Sequence, residues 1–122
     1  MTTNAISCNL LVIRSSNIER AANFYRAIGL ELESHTHGSG PMHYAFEGND
    51  HTFEIYPLLE DNLPTHSTRI GFAVECVDET FANAVAAGAE AVSPPKDSKW
   101  GRRAIVTDPD GHKVELTSRL NS

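Results

Sequence analysis

Little in this chain speaks for secretion, a membrane or a nucleic-acid partner. Of its 122 residues two are cysteines, Cys8 and Cys76. They form no C-x-x-C metal pair, and with no sign of secretion they read as two reduced, buried thiols. No apolar run approaches the roughly 20 residues that a membrane-spanning helix needs. The start, Met1-Thr2-Thr3-Asn4-Ala5-Ile6, has no basic segment leading into an apolar one. The expectation is a cytoplasmic protein with no membrane partner. Basic residues are few: 10 Lys and Arg stand against 16 Asp and Glu, for a net charge of −6. Without clustered cations to neutralise phosphates, nucleic acid is excluded as a partner. No phosphate loop, cofactor fingerprint or nucleophile–base pairing is visible. The length suits one domain spanning 1–122, with a real core but not two independent ones.

What is present is a stretch of nine residues that occurs twice. Asp108-Pro109-Asp110-Gly111-His112-Lys113-Val114-Glu115-Leu116 follows Glu47-Gly48-Asn49-Asp50-His51-Thr52-Phe53-Glu54-Ile55 at an offset of 61 positions. Each copy reads as a tight turn opening a strand, with Pro109 preset for a type I turn and Gly111 free to take positive φ. The strands alternate, so Val114 and Leu116 oppose Lys113, Glu115 and Thr117, and Phe53 and Ile55 oppose Thr52, Glu54 and Tyr56. A carboxylate, Glu54 or Glu115, therefore projects from the polar face of each copy.

The rest of the chain repeats around these copies. Ile6 to Arg14 reads as a strand with Leu11 and Ile13 on one side and Leu10, Val12 and Arg14 on the other. Ser16-Asn17-Ile18-Glu19 has the form of a capping box, with Ser16 as the cap. The helix it opens buries Ile18, Ala21, Ala22, Tyr25 and Ile28 and stops at Gly29. Strands over 30–35, 42–47 and 51–57 follow, with a loop at 37–41, and 58–66 is a linker. The order then restarts: a strand over 68–75, a helix over 77–87 capped by Asp78 and ended by Gly88, and a short strand over 89–93. A loop over 94–101 carries Trp100, and a hairpin of 102–107 and 112–118 closes the chain. The fold class is therefore α+β: two βαβββ units, about 5–60 and 66–120, forming paired curved sheets around a cleft with helices on the outer faces.

Several stretches carry a family likeness: Ser16-Asn17-Ile18-Glu19-Arg20 with Phe24-Tyr25 and Gly29-Leu30, then Phe53-Glu54-Ile55-Tyr56-Pro57. Arg69-Ile70-Gly71-Phe72-Ala73-Val74, Trp100-Gly101-Arg102-Arg103 and the Asp108–Leu116 stretch complete it. Over nearly its whole length the chain resembles the vicinal oxygen chelate superfamily of glyoxalase I, bleomycin-resistance proteins and extradiol dioxygenases. Metal-dependent members hold their ion at four positions, on the first and last strand of each unit, typically with His and Glu. Carried over, those positions are Leu10, Glu54, Arg69 and Glu115. Leu10 has no donor atom and Arg69 no lone pair to give. The resemblance thus implies the fold but a broken metal site, with no cofactor expected. It also implies a homodimer, since related chains of this length usually pair.

The charges suggest a replacement for the ion. Glu54, Arg69 and Glu115 read as an ionic cluster on the cleft floor, either holding the units together or holding an anionic or carbonyl group of a ligand. His43, Tyr56, Leu10 and Trp100 complete the candidate ligand-binding set. Arg14, Arg102 and Arg103 read first as solvated charges, and His35 and His37 as surface residues near the cleft mouth. His51 and His112 belong to their turns. The leading expectation is a protein that binds a small organic molecule in the cleft without the usual metal. One alternative is a lyase, isomerase or dioxygenase with a divalent metal on Glu54, Glu115 and a relocated ligand such as His43. The other is a metal-free enzyme with Glu54 or Glu115 as general base and Arg69 as stabiliser.

Overall fold

The structure is a computed structural model that describes residues 8–59, 65, 68–99 and 101–118. The first unit runs β1 (Leu10–Ser15), α1 (Ile18–Ala27), β2 (Glu33–His35), β3 (His43–Glu47) and β4 (Thr52–Pro57). The second runs β5 (Arg69–Ala73), α2 (Val77–Ala86), β6 (Ala91–Ser98), β7 (Gly101–Thr107) and β8 (Lys113–Ser118). Each unit makes one four-stranded sheet, in the order β1-β4-β3-β2 and β5-β8-β7-β6. The first and last strands of each unit pair in parallel and the others antiparallel. The helix supplies the crossover that a parallel pair requires.

The alternation that defines the strand faces holds. Phe53, Ile55, Val114 and Leu116 are buried beneath the helices, whereas Glu54 and Glu115 stand half-buried on the opposite faces. Each helix covers its own sheet, and the two cores join where Tyr25 of α1 meets Phe53 (ring centroids 5.0 Å) and Phe72 of β5 (6.0 Å). Phe24, absent from the expected apolar stripe of α1, is also buried and packs edge-on against Tyr25. Both helices end at a glycine with positive φ, Gly29 at 115° and Gly88 at 102°, where a Cβ would strain the turn.

Local details differ from the sequence reading in four places. Asn17, not Ser16, caps α1: its Oδ1 accepts from Arg20 N at 3.0 Å. Ser16 is drawn away by Asp110, whose Oδ1 accepts from both its Oγ (2.8 Å) and its backbone N–H (3.1 Å). In α2 the cap position falls on Cys76, which makes no side-chain cap bond, while Asp78 lies inside the helix and pairs with Arg102 at 3.1 Å. The segment over 94–98 is strand: β6 runs through Pro94 and Pro95 with two register shifts against β7. Proline is tolerated there because β6 is an edge strand whose outer side needs no ladder donor. Finally, Cys8 and Cys76 are free as expected but exposed, not buried. Trp100, Ile6 and most of the expected linker (60–64 and 66) lie outside the described residues.

Candidate functional site

The two glutamates occupy two different clusters, one on the open face of each sheet. In the first, β3 and β4 pair so that Ala45 lies opposite Glu54, which places His43 and Tyr56 on the same face as Glu54. Tyr56 stacks on the His43 ring at 4.2 Å with 7° between planes, and the Arg14 guanidinium lies 5.0 Å from the Tyr56 ring centroid. His43 is 2% exposed, and its Nε2 lies 3.6 Å from Glu54 Oε2. The β2–β3 hairpin places His35 opposite His43, and the loop between the strands lays His37 against both. His35 and His37 are thus part of this cluster and not isolated surface groups. The signal was in the sequence as hairpin register, which a loop of uncertain length conceals.

In the second cluster Glu115 Oε1 accepts from Arg103 at 2.8 Å and lies 3.7 Å from Arg69. The hydrogen bond to Glu115 pushes the Arg103 guanidinium above its ordinary range. Arg103, read from sequence as a solvated charge, is the nearer partner. Arg103 lies two residues before Ile105 on the same strand face, and Ile105 pairs opposite Glu115, which was the available clue. A hollow of about 420 Å³ opens here, lined by Ser98, Gly101, Arg103, Glu115 and Thr117. Arg69 is 53% exposed beside it. Among the described residues Arg69 pairs with Glu115, and the partner of Glu54 is His43.

The four positions that hold a metal elsewhere in the superfamily do not fit one here. Leu10 is exposed at the edge of the first sheet, opposite Thr52, and offers no donor. Arg69 brings a cation to the place of a ligand. The strand register puts Val12 beside Glu54 and Gly71 beside Glu115, so a shift of two residues supplies no donor either. A larger hollow, about 510 Å³, lies between the end of α1 and the start of α2 around Gly29, Phe72 and Cys76. It contains none of the candidate residues.

Residues 7–116 match the family model described as the Glyoxalase/Bleomycin resistance protein/Dioxygenase superfamily. No curated protein matches the chain. Among solved structures the chain is similar to TnmS3, described as an antibiotic binding protein from Streptomyces sp. CB03234. The TM-score is 0.76 at 26% identity, over 96% of this chain and 99% of that one. A glyoxalase/bleomycin resistance protein from the same Streptomyces has a TM-score of 0.72 at 26% identity, over 91% and 99% of the chains. One from Albidiferax ferrireducens T118 shares the fold, with a TM-score of 0.75 at 22% identity over 91% and 97%.

Proposed function

The chain belongs to the glyoxalase/bleomycin resistance protein/dioxygenase superfamily, and we propose that it binds a small organic molecule through the open face of its second sheet. The ligand carries a carboxylate or carbonyl group and needs no metal at the four superfamily positions. One observation carries this reading: Glu115 is shared by Arg69 and Arg103. Two guanidiniums on one carboxylate leave a net positive charge and several unspent N–H donors at the mouth of a hollow. That arrangement suits bidentate capture of a planar anion. The likeness to a protein described as antibiotic binding supports an organic ligand with apolar area. Leu10 and Tyr56 on the first sheet supply such area.

The reading includes a homodimer in a cytoplasmic setting. β1 and β5 are both edge strands, and the face beside each is open. Edges of this kind invite pairing with another chain, and a partner would close each half-cleft against the other sheet.

The test is a melting-temperature screen of small aromatic and aliphatic carboxylates, followed by calorimetry on Arg69→Ala and Arg103→Ala. A ligand that binds only the folded state raises the melting temperature. Each substitution is expected to weaken binding at least tenfold, with the fold unchanged by circular dichroism. Binding that survives both substitutions would overturn the reading. Light scattering at micromolar concentration reports the dimer.

A further inference from the structure

The open face of the first sheet carries nitrogen donors that ligand capture by Arg69 and Arg103 does not use. His35 and His43 face each other across the β2–β3 hairpin. A turn closed by Gly40 N donating to His37 O (2.9 Å), with Gly38 at φ 58°, returns the chain over them. The three imidazole centroids form a triangle with sides of 5.3, 5.7 and 5.8 Å.

The hydrogen bonding of His43 fixes what it can offer. Its Nδ1 lies 3.2 Å from the Pro41 carbonyl, which can only accept, so Nδ1 carries the proton of that contact. In the neutral ring Nε2 is then a bare lone pair. It faces a Glu54 carboxylate oxygen 3.6 Å away, acceptor toward acceptor, and it is buried without a hydrogen-bond partner. His35 Nε2 is likewise buried and unpartnered. Buried polar atoms are nearly always satisfied, so two such nitrogens on neighbouring histidines, one of them beside a carboxylate, call for an electron-pair acceptor. A histidine with one nitrogen donating to a backbone carbonyl and the other free is the arrangement found in metal-bound histidines. The stack with Tyr56 holds the ring plane.

The nearby cations are engaged elsewhere. Arg14 donates to the Pro57 carbonyl at 3.2 Å and lies over Tyr56, and Arg69 pairs with Glu115 on the other sheet. Among the described residues the group with donor atoms already within 4.8 Å of one another is Asp108, Asp110 and His112. That group is spent on internal bonds to Tyr25, Ser15, Ser16 and Thr65. The histidine cluster is the reverse case, with two unpartnered nitrogens among rings whose centroids stand 5.3–5.8 Å apart. A shared ion would require the exposed His37 ring and the His35 ring to turn toward His43 Nε2.

We infer that His35, His43 and Glu54, with His37 as a fourth donor, form a site for a borderline divalent cation such as Zn²⁺, Ni²⁺ or Co²⁺, contained in the first unit alone. Imidazole and carboxylate donors in this ratio suit those ions over Mg²⁺ or Ca²⁺. The site is independent of the arginine-centred reading and shares only Glu54 with the superfamily positions.

The experiment titrates untagged protein, stripped with chelator, with Zn²⁺, Ni²⁺ and Co²⁺. Calorimetry, elemental analysis after desalting and the Co²⁺ visible spectrum are the readouts. The expected result is one equivalent per chain and a raised melting temperature. His35→Gln with His37→Gln, both away from the core, should weaken binding at least tenfold, as should Glu54→Gln, while Glu115→Gln should not. His43→Gln should do the same, with circular dichroism as its control. The absence of stoichiometric binding would overturn the inference. So would affinity unchanged in the His35 and His37 double variant, or affinity lost in Glu115→Gln, which would indicate a site spanning both sheets. None of these outcomes bears on anion binding, which the Arg69→Ala variant reads separately.

Discussion

Tyr25, on the helix of the first unit, donates its phenol proton to Asp108, at the turn before the last strand of the second, over 2.6 Å. The same carboxylate accepts from His112 Nδ1 at 2.7 Å and from the backbone N–H groups of Asp110 and His112 at 2.9 Å. Asp110 in turn holds Ser15 and Ser16 at the β1–α1 junction, and His112 Nε2 meets Thr65 Oγ1 at 2.6 Å. The second copy of the turn is therefore a clamp between units. Its polar residues, conspicuous in the sequence, are structural.

Asp108 should set much of the acid limit of stability. Burial alone would raise its pKa, but the hydrogen bonds from His112 and Tyr25 outweigh it and hold the group below the ordinary carboxylate range. A depressed folded-state pKa contributes stability that is complete above the unfolded value near 3.9 and is lost as pH falls through the folded one. Asp108→Asn should cost about 1.5–3 kcal/mol at neutral pH, the range for a hydrogen bond to a charged group, and should flatten the fall in stability below about pH 4. Urea melts from pH 2.5 to 7 check it. A parallel acid limb in variant and parent would assign the effect to other carboxylates.

Tyr25 should limit stability at the alkaline end. Burial first, and then the charge of Asp108, push its phenol well above the usual value. The folded state therefore holds a proton that the unfolded chain releases near pH 10, so stability should decline as pH rises beyond that value. Tyr25→Phe should remove this decline while weakening the fold at neutral pH. An ultraviolet titration showing tyrosinate at pH 10 in folded protein would contradict it.

The helix caps show where sequence reasoning reaches and where it stops. Glycine at 29 and 88 was legible because only a residue without Cβ takes positive φ cheaply, a rule that needs no tertiary context. The strand faces were legible for the same reason, since burial enforces alternation. The capping box was misread because Ser16 is captured by Asp110, 94 positions away, and no local pattern records that competition. The pairing of Arg103 with Glu115 and the gathering of three histidines depend on hairpin register, set by loop lengths that the residues do not spell out. The fold was written locally, and the site mostly by pairing.

That account makes the caps a direct test. Asn17→Ala should cost about 1 kcal/mol through loss of the bond to Arg20 N. Ser16→Ala should act through the clamp: its effect should largely vanish in an Asp110→Ala background, whereas that of Asn17→Ala should persist. Additive losses for Ser16 and Asp110 would mean that the pair is not coupled.

Glu115 gives the sharpest prediction for binding. If the arginines are there to meet a ligand anion, the carboxylate between them competes with that anion for the same N–H donors. Glu115→Gln should then tighten the binding of a carboxylate ligand several-fold and steepen its dependence on salt, because an unneutralised pair of cations attracts more strongly and is screened more. Its effect on stability should be small, since ion pairs this exposed contribute little. The opposite result, weaker binding in the variant, would mean that Glu115 orients Arg103 more than it competes, and that the 2.8 Å contact is part of the bound geometry. Calorimetry at two ionic strengths distinguishes these: competition predicts a steeper salt slope in the variant, and orientation predicts a shallower one.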